Sequence, residues 1–377
     1  MTFTRRSFLA MSAVAAPLAA AGCSNTNKEG DSMQTLANAT SSSSAVPTAD
    51  DVDPTPIVDT HAHVYPGAYL DRLIELGADA AAVEIARMPN SDNTAKDLGE
   101  RLRMMDEAGV DIQVLSATPQ SPLLPTPEAG AEASRMVNDL YREIVDAHPG
   151  RFACYGAIPF NHPDKAIEEI GYCLDELGFV GIAINAMLND PQAVITQDVY
   201  RPIFEELNRR KAVLYIHPTG HAAHCPPMQN TELTWVNGAP VEDGIVTLQL
   251  LKANYPNIFP DIRFHIAHLG GDVPFLARRI QDNYEDWGSF ESDPSKTLRQ
   301  MWFDAANFST GSLRLASEVY DTDKLLTGSD FPYFQEEKYT RAVSYIRETG
   351  LSPEITAAIL SANAVALYDG RLTQSEA

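Results

Sequence analysis

The sequence predicts a single (β/α)8 TIM barrel that follows a signal peptide and a disordered tether. From Pro56 onward, eight short apolar runs alternate with amphipathic segments of helical period. Parallel neighbouring strands need crossover connections, so this repeat predicts a parallel sheet, and eight units can close into a barrel. A doubly wound open sheet is the competing arrangement. It is disfavoured because no G-x-G-x-x-G follows the first apolar run.

Residues 1–23 are typical of an export signal. "TRRSFL" carries Arg5 and Arg6 and resembles a twin-arginine (Tat) signal, and the Ala-rich run after it is too short to span a bilayer. "AAGC" resembles a lipobox, which makes Cys23 a candidate for lipidation; a plain cleaved signal with an incidental cysteine is the alternative. We therefore expect an exported lipoprotein at the outer side of the cytoplasmic membrane, with the N-terminal lipid as its only membrane contact.

Residues 24–53 are rich in Ser, Thr, Asn and Asp, a composition that cannot bury enough surface to offset its ordering entropy. We predict a flexible linker there and assign residues 54–377 to the barrel. Of the 377 residues 44% are hydrophobic, which suffices for one large core. The net charge of -23 repels phosphate backbones, so we expect no nucleic-acid partner.

The predicted strands follow one another at regular intervals, with helical segments between them. In "DLGERLRMMDEAG", Leu98, Leu102 and Met105 share one helix face, and Gly109 is a suitable C-terminal cap. The segment 221–242 after the fifth strand is longer than an ordinary βα loop, which is typical of segments that form part of a site. The eight apolar runs are "PIVDTHAH", "DIQVLSAT", "FACYGAIPF", "VGIAINAM", "AVLYIHP", "RFHIAH", "MWFDAANF" and "KLLTGSDFP".

Four of these runs end in side chains that can bind a metal ion. The first ends in His61 and His63, whose i, i+2 spacing points both side chains to the same side of a strand. The fifth, sixth and eighth runs contribute His217, His268 and Asp330. Strand ends of a barrel meet at one face, so we predict that His61, His63, His217 and Asp330 hold one divalent ion with room for water. The ion would lower the pKa of that water, and His268 would act as a general acid or base beside it.

Other histidines are weaker candidates for this chemistry. His265 lies three residues before His268, and strict strand alternation predicts that it points towards the helices. His221, His224 and Cys225 form a second polar cluster, which a solvated loop explains better than a second metal ion does.

The stretches "DTHAH", "IHP", "AHLGG" with "PFLARR", and "GSDFPY" resemble the amidohydrolase superfamily, from about Ile57 to Tyr368. The resemblance is to the amidohydrolase-related branch of aminocarboxymuconate-semialdehyde decarboxylase and the salicylate- and resorcylate-type decarboxylases. It implies one metal ion, most often zinc and sometimes manganese, on the four ligands predicted above, with His268 as the catalytic acid or base. The fourth run has no lysine, which favours one metal ion over two.

The same resemblance implies a basic residue that binds the substrate carboxylate. Arg279 best matches the position of this arginine, and Arg278 beside it is a rival. In the decarboxylases this arginine often reaches in from a partner subunit, which implies a possible homodimer.

We therefore expect a metal-dependent carboxy-lyase that acts on a small aromatic or enoic carboxylic acid. In this reaction His268 or Asp330 would deliver a proton to the carbon that bears the carboxylate. A hydrolase of a lactone, an amide or a related C–O or C–N bond is the alternative, because the same metal centre would serve both reactions. A non-catalytic metal- or solute-binding lipoprotein is a second alternative. It is disfavoured because binding lipoproteins usually have two hinged lobes and because a binder has no need for His268.

Overall fold

Eight short parallel strands form one sheet in the computed structural model, which describes residues 56–373. Each strand lies inside one of the eight predicted apolar runs. The strands are β1 (Val58–His63), β2 (Ile112–Ser116), β3 (Phe152–Ala157), β4 (Gly181–Asn185), β5 (Val213–His217), β6 (Arg263–Ile266), β7 (Trp302–Asp304) and β8 (Leu325–Leu326). The predicted signal with Arg5, Arg6 and Cys23, and the predicted linker, lie outside the described residues.

The strands pair in chain order from β1 to β8, and backbone hydrogen bonds join the two ends of the sheet. The N–H of Thr60 donates to the carbonyl of Thr327 (2.9 Å), and the N–H of His63 donates to that of Phe331 (2.7 Å). Nearly all strand residues are buried, as expected when a parallel sheet has side chains inside and helices outside. The predicted (β/α)8 barrel is confirmed for the described residues, and the open-sheet alternative is wrong.

Helices connect the strands and cover the sheet. The helix α3 shows how the sequence sets their ends: the Thr94 side chain accepts from the N–H of Asp97 (3.2 Å), and Gly109 ends the helix at φ 70°. Within the described residues, no helix is both long and apolar enough for a membrane span. The helices are α1 (Gly67–Glu75), α2 (Ala80–Glu84), α3 (Ala95–Ala108), α4 (Pro127–Ala147), α5 (Pro163–Gly171), α6 (Arg201–Arg209), α7 (Pro226–Gln229), α8 (Ala239–Lys252), α9 (Tyr255–Ile258), α10 (Val273–Trp287), α11 (Pro294–Leu298), α12 (Thr310–Val319), α13 (Glu337–Arg347), α14 (Pro353–Ala357) and α15 (Asn363–Tyr368).

The barrel interior is filled by large side chains that form the floor of the carboxyl-end face. The rings of Tyr155 and Tyr215 stack at 4.9 Å between centroids, and the Tyr155 hydroxyl lies 2.6 Å from that of Tyr368 on α15. Leu367 and Tyr368 pack with Val58 and other residues near the strand starts. These residues close the amino end of the barrel interior, and chemistry is expected at the carboxyl end.

Candidate metal centre

Five of the predicted site residues come together at the carboxyl end of the barrel. His61 and His63 lie at the end of β1, and His217 is the last residue of β5. His268 and Asp330 follow β6 and β8 closely. Donor atoms of His61, His217, His268 and Asp330 all lie within 4.8 Å of one another, and His63 Nε2 lies 3.1 Å from Asp330 Oδ1.

The donor atoms fit a divalent ion. His61 Nε2 and His217 Nε2 are buried and have no hydrogen-bond partner, and they lie 3.3 Å and 3.9 Å from Asp330 Oδ1. A buried polar atom without a partner costs about 1–3 kcal/mol, so these nitrogens need a partner that the chain does not supply. Imidazole nitrogens and a carboxylate oxygen are preferred ligands of zinc and also bind manganese.

Each of the three strand-end histidines is also held through its second ring nitrogen. Such contacts fix the tautomer and the ring orientation of metal-binding histidines. The contacts join His61 Nδ1 to Asp304 Oδ1 (3.0 Å), His63 Nδ1 to Ser116 Oγ (2.9 Å) and His217 Nδ1 to the Pro218 carbonyl (2.7 Å). Sequence reasoning missed Asp304 and Ser116. Their position at the ends of the seventh and second strands, where other polar site residues lie, was the available signal.

His268 is held by a second acid that the sequence did not reveal. Its Nδ1 lies 2.9 Å from Asp243 Oδ2 on α8, and its Nε2 faces Asp330 Oδ2 at 3.5 Å. Burial raises the pKa of Asp243 to about 7, although the His268 charge opposes this. Burial opposes protonation of His268 too, but Asp243 and Asp330 together raise its pKa well above the ordinary value. No sequence pattern marks Asp243, because it reaches the site from inside a helix.

Burial and charge act differently on the other members of the cluster. Burial lowers the pKa of His63 to about 4 and holds that of His217 well below its ordinary value. Burial also opposes protonation of His61, but Asp304 and Asp330 outweigh it and raise the pKa of His61 to about 9. Burial would raise the pKa of Asp330, yet the four histidines around it stabilise its charge and hold its pKa well below the usual range. The metal-free cluster therefore carries a proton on His61 that an incoming ion must displace.

Two site residues adopt strained backbone conformations. His268 and Asp330 have φ values of 50° and 55°, in the left-handed region that side chains other than glycine rarely adopt. Gly271 follows at φ 63°, where an added Cβ would lie 1.9 Å from the Pro240 carbonyl oxygen. Strain of this kind costs on the order of 1–3 kcal/mol per residue and clusters at functional sites.

This turn explains why the prediction for His265 was wrong. His265 does not face the helices: its Nε2 lies 3.2 Å from Asp304 Oδ2 and its Nδ1 lies 3.0 Å from the Tyr155 hydroxyl. These partners come from β7 and β3, which do not both adjoin β6, so the His265 side chain lies inside the barrel. The strand β6 ends at Ile266 and the chain then turns left-handed at His268, so period-two alternation does not extend to His268.

The predicted arginine lies apart from this centre. Arg279 is exposed on α10, and no contact joins its side chain to the five clustered residues within the described chain. Arg278 is also exposed and pairs with Asp282. Phe275, one helical turn before Arg279, is 80% exposed. The predicted role of Arg279 therefore requires a second subunit and stays a prediction.

The second histidine cluster does not converge on a metal site. The rings of His221 and His224 stack at 4.9 Å, and their Nε2 atoms lie against Asn189 Oδ1 (3.3 Å) and the Leu188 carbonyl (3.0 Å). Between residues 56 and 373, the only His, Cys, Asp and Glu group that could hold an ion is the one at the barrel mouth.

A cavity of about 910 Å³ opens beside the centre. We call it the side cavity. It lies among the segments 73–85, 119–125, 185–193 and 219–221, together with Asn161, Tyr200 and Trp235. Asn185 pairs with His217 in the parallel register of β4 and β5, so the cavity begins next to a predicted metal ligand.

Comparisons with known proteins agree with this geometry. A family model described as "Amidohydrolase" matches residues 58–370. Gamma-resorcylate decarboxylase of Rhizobium radiobacter is 26% identical over 294 residues, which cover 72% of this chain and 87% of that protein. The 2-amino-3-carboxymuconate-6-semialdehyde decarboxylase of Dictyostelium discoideum is 25% identical over 248 residues, which cover 64% of this chain and 68% of that protein.

A solved structure shares the fold. The dihydroxybenzoic acid decarboxylase from Polaromonas sp. JS666, with bound manganese and the inhibitor 2-nitroresorcinol, matches with a TM-score of 0.70 at 20% identity. The match covers 83% of this chain and 96% of that chain.

Proposed function

The chain belongs to the amidohydrolase family, and we propose that it is a metal-dependent decarboxylase of a small aromatic or enoic carboxylic acid. The observation that carries the proposal is the pair of unpartnered, buried nitrogens, His61 Nε2 and His217 Nε2, beside Asp330. The relatives named as decarboxylases support this reaction over hydrolysis.

We assign the ion to His61, His63, His217 and Asp330, with zinc as first choice and manganese as second. When bound, the ion supplies a Lewis acid for the oxygens of the acid or of its neighbouring hydroxyl. The ligands are held rigid by Asp304, Ser116 and the Pro218 carbonyl, so their geometry is set before the substrate arrives.

His268 is the proposed proton donor. Its Nδ1 is engaged by Asp243, which leaves Nε2 to face Asp330. The Nε2 proton is delivered to the carbon that bears the carboxylate, and a π pair of the substrate forms the new C–H bond. The bond to the carboxylate then breaks, its electron pair restores the conjugation and CO2 leaves. Asp330, 3.5 Å from Nε2, is the alternative proton donor, but its low pKa and its place among the metal ligands favour His268.

Arg279 is proposed to bind the substrate carboxylate from a partner subunit. The exposed Phe275 on the same helix face supports a covered surface there, since residues four apart lie side by side. Mixing His268→Ala chains with Arg279→Ala chains tests this. If Arg279 acts in trans in a symmetric dimer, random reassociation should restore about a quarter of the sites, while each variant alone stays inactive. Zero recovery, with mixed dimers shown by mass spectrometry, would refute the role in trans.

The main test is a screen of the metal-loaded protein against hydroxybenzoates and small lactones. CO2 release and acid release are followed separately, and we expect CO2 from at least one hydroxybenzoate. Acid release alone would replace the proposal with a hydrolase. The His268→Ala variant should lose turnover and keep its ion, whereas a purely binding protein would be unchanged by this substitution.

We also propose export by the twin-arginine route, with Cys23 as the lipidated residue. This proposal is supported by the sequence alone: Arg5 and Arg6 resemble a twin-arginine signal, and Cys23 follows a lipobox-like stretch. Cell fractionation of the full chain tests it: Arg5→Lys with Arg6→Lys should retain the protein in the cytoplasm, and Cys23→Ser should release it from the membrane fraction. A membrane-bound Cys23→Ser protein would refute lipidation at this residue.

A further inference from the structure

The lining of the side cavity has an unusual charge. None of its residues is Arg or Lys, and its two charged residues, Asp79 and Asp190, are both acidic and exposed at the rim. Its other titratable residues are Tyr200, whose pKa is raised by burial, and His221, whose pKa is lowered by burial and by the nearby His224. Both are therefore uncharged near neutral pH. A carboxylate in this cavity would therefore lose solvation without gaining a cation.

The polar groups at the inner end of the side cavity are largely engaged with one another. The Ser121 hydroxyl donates to Asn185 Oδ1 (2.7 Å), and Asn185 Nδ2 donates to the Pro119 carbonyl (3.0 Å). These contacts use donors that could otherwise bind a carboxylate. The inner end is thus suited to a neutral group.

The remaining wall is mostly apolar. A series of aromatic ring contacts leads from this wall to the metal centre. Leu73, Val83, Leu123 and Leu188 line the cavity together with Trp235. The Trp235 ring lies at 6.2 Å and 25° from that of Tyr333, which in turn contacts the ring of His63 at 5.8 Å. The volume of about 910 Å³ is near the upper end of the range of roughly 300–1,000 Å³ for small-molecule sites.

The loop against which the Trp235 ring packs is tied down by hydrogen bonds. The buried Glu242 carboxylate accepts hydrogen bonds from the Thr219 hydroxyl (2.8 Å) and from the N–H of Ala223 (3.1 Å). Ala223 has a φ of 52°, within three consecutive non-glycine residues at positive φ. A Cβ on Gly220 would lie 2.4 Å from the Trp235 ring, so glycine is required for this close approach.

From this lining we propose that the substrate is a monocarboxylic acid whose neutral, largely apolar substituent occupies the side cavity, and that dicarboxylic acids are excluded. The inference rests on the proposed decarboxylase function and specifies its substrate class. It separates this chain from the 2-amino-3-carboxymuconate-6-semialdehyde decarboxylase that it resembles, whose named substrate carries two carboxylates. We expect each added methylene of the substituent to raise kcat/KM about fourfold until the cavity is filled.

The test uses matched salicylates that carry, at each ring position in turn, a propyl or a 2-carboxyethyl group. CO2 release by the metal-loaded full chain gives kcat/KM, and equilibrium dialysis with the His268→Ala variant gives affinity without turnover. We expect the best propyl compound to exceed its 2-carboxyethyl partner at least a hundredfold in both measurements. Equal values would overturn the inference.

A charge-introducing variant makes the test independent of one compound series. Gln120→Arg places a cation in the cavity lining and should raise the ratio of 2-carboxyethyl to propyl binding at least tenfold. The control Gln300→Arg adds the same charge at an exposed position outside the cavity and should leave this ratio unchanged. An unchanged ratio in Gln120→Arg would also count against the inference. If no compound releases CO2, the proposed function fails, and the dialysis ratios still decide the inference about the cavity.

Discussion

The two regions at the barrel mouth, the metal centre and the side cavity, differ in burial and in charge. The metal centre, at the ends of β1, β5, β6 and β8, is buried and charged, and each histidine is held by a second contact. The side cavity, along β2, β4 and β5, is open, lacks cations and is lined mainly by apolar groups. The difference indicates that the first region sets the reaction and the second sets the substrate. Substitutions in the two regions should therefore differ in kind: one should affect all substrates and the other should change their ranking.

The largest expected effect is that of Asp330→Asn. The amide keeps the volume of the carboxylate but removes the charge that faces four histidines, so the ion should be lost or misplaced. We expect kcat to fall at least about a thousandfold for every substrate. Metal content after dialysis, measured by mass spectrometry, checks the cause. The exposed Asp323→Asn serves as the matched control, and a fully active Asp330→Asn protein would remove the basis for the proposed centre.

Asp243→Asn should have the next largest effect and should separate positioning from metal binding. Asp243 touches only the Nδ1 of His268 within the centre, so the ion should remain. Without the carboxylate His268 loses its orientation and a stabilising charge, and we expect kcat to fall about a hundredfold. Because Asp243 helps to raise the pKa of His268, both limbs of the pH–rate profile should also shift in this variant. Loss of the ion in this variant would place Asp243 among the determinants of metal binding instead.

The sequence predicted the charged region far better than the neutral one. All eight strands, and the convergence of His61, His63, His217, His268 and Asp330, follow from apolar runs that end in polar residues, because the carboxyl ends of barrel strands share one face. Asp243 could not be predicted, since it lies inside the helix α8 and not at the end of a strand. The cavity could not be predicted either, because its lining comes from seven separate parts of the chain and its chemical character depends on the absence of Lys and Arg among them.

Metal binding should depend on pH because of His61. Although burial opposes its charge, Asp304 and Asp330 raise its pKa to about 9, so at neutral pH the metal-free histidine holds a proton that the ion must displace. Affinity should therefore rise with pH, by about tenfold per unit, and level off above pH 9. Proton release during metal titration in weak buffer measures this directly. Asp304→Asn removes one of the raising charges and should flatten the dependence, whereas an affinity independent of pH in the unaltered protein would contradict the assigned charge.

Trp235→Ala should have the smallest effect and test the other side of the comparison. Trp235 lines the side cavity and is not among the residues of the metal centre, so the ion and the rate of bond breaking should be retained. Truncation removes part of the apolar wall, and we expect KM for the propyl-substituted salicylates to rise about tenfold while unsubstituted salicylate changes little. Leu315→Ala, which removes an apolar group at a position 37% exposed outside the cavity lining, is the control. An equal rise in KM for substituted and unsubstituted acids would mean that Trp235 affects the metal centre itself. The assignment of reaction to one region and of substrate choice to the other would then be wrong.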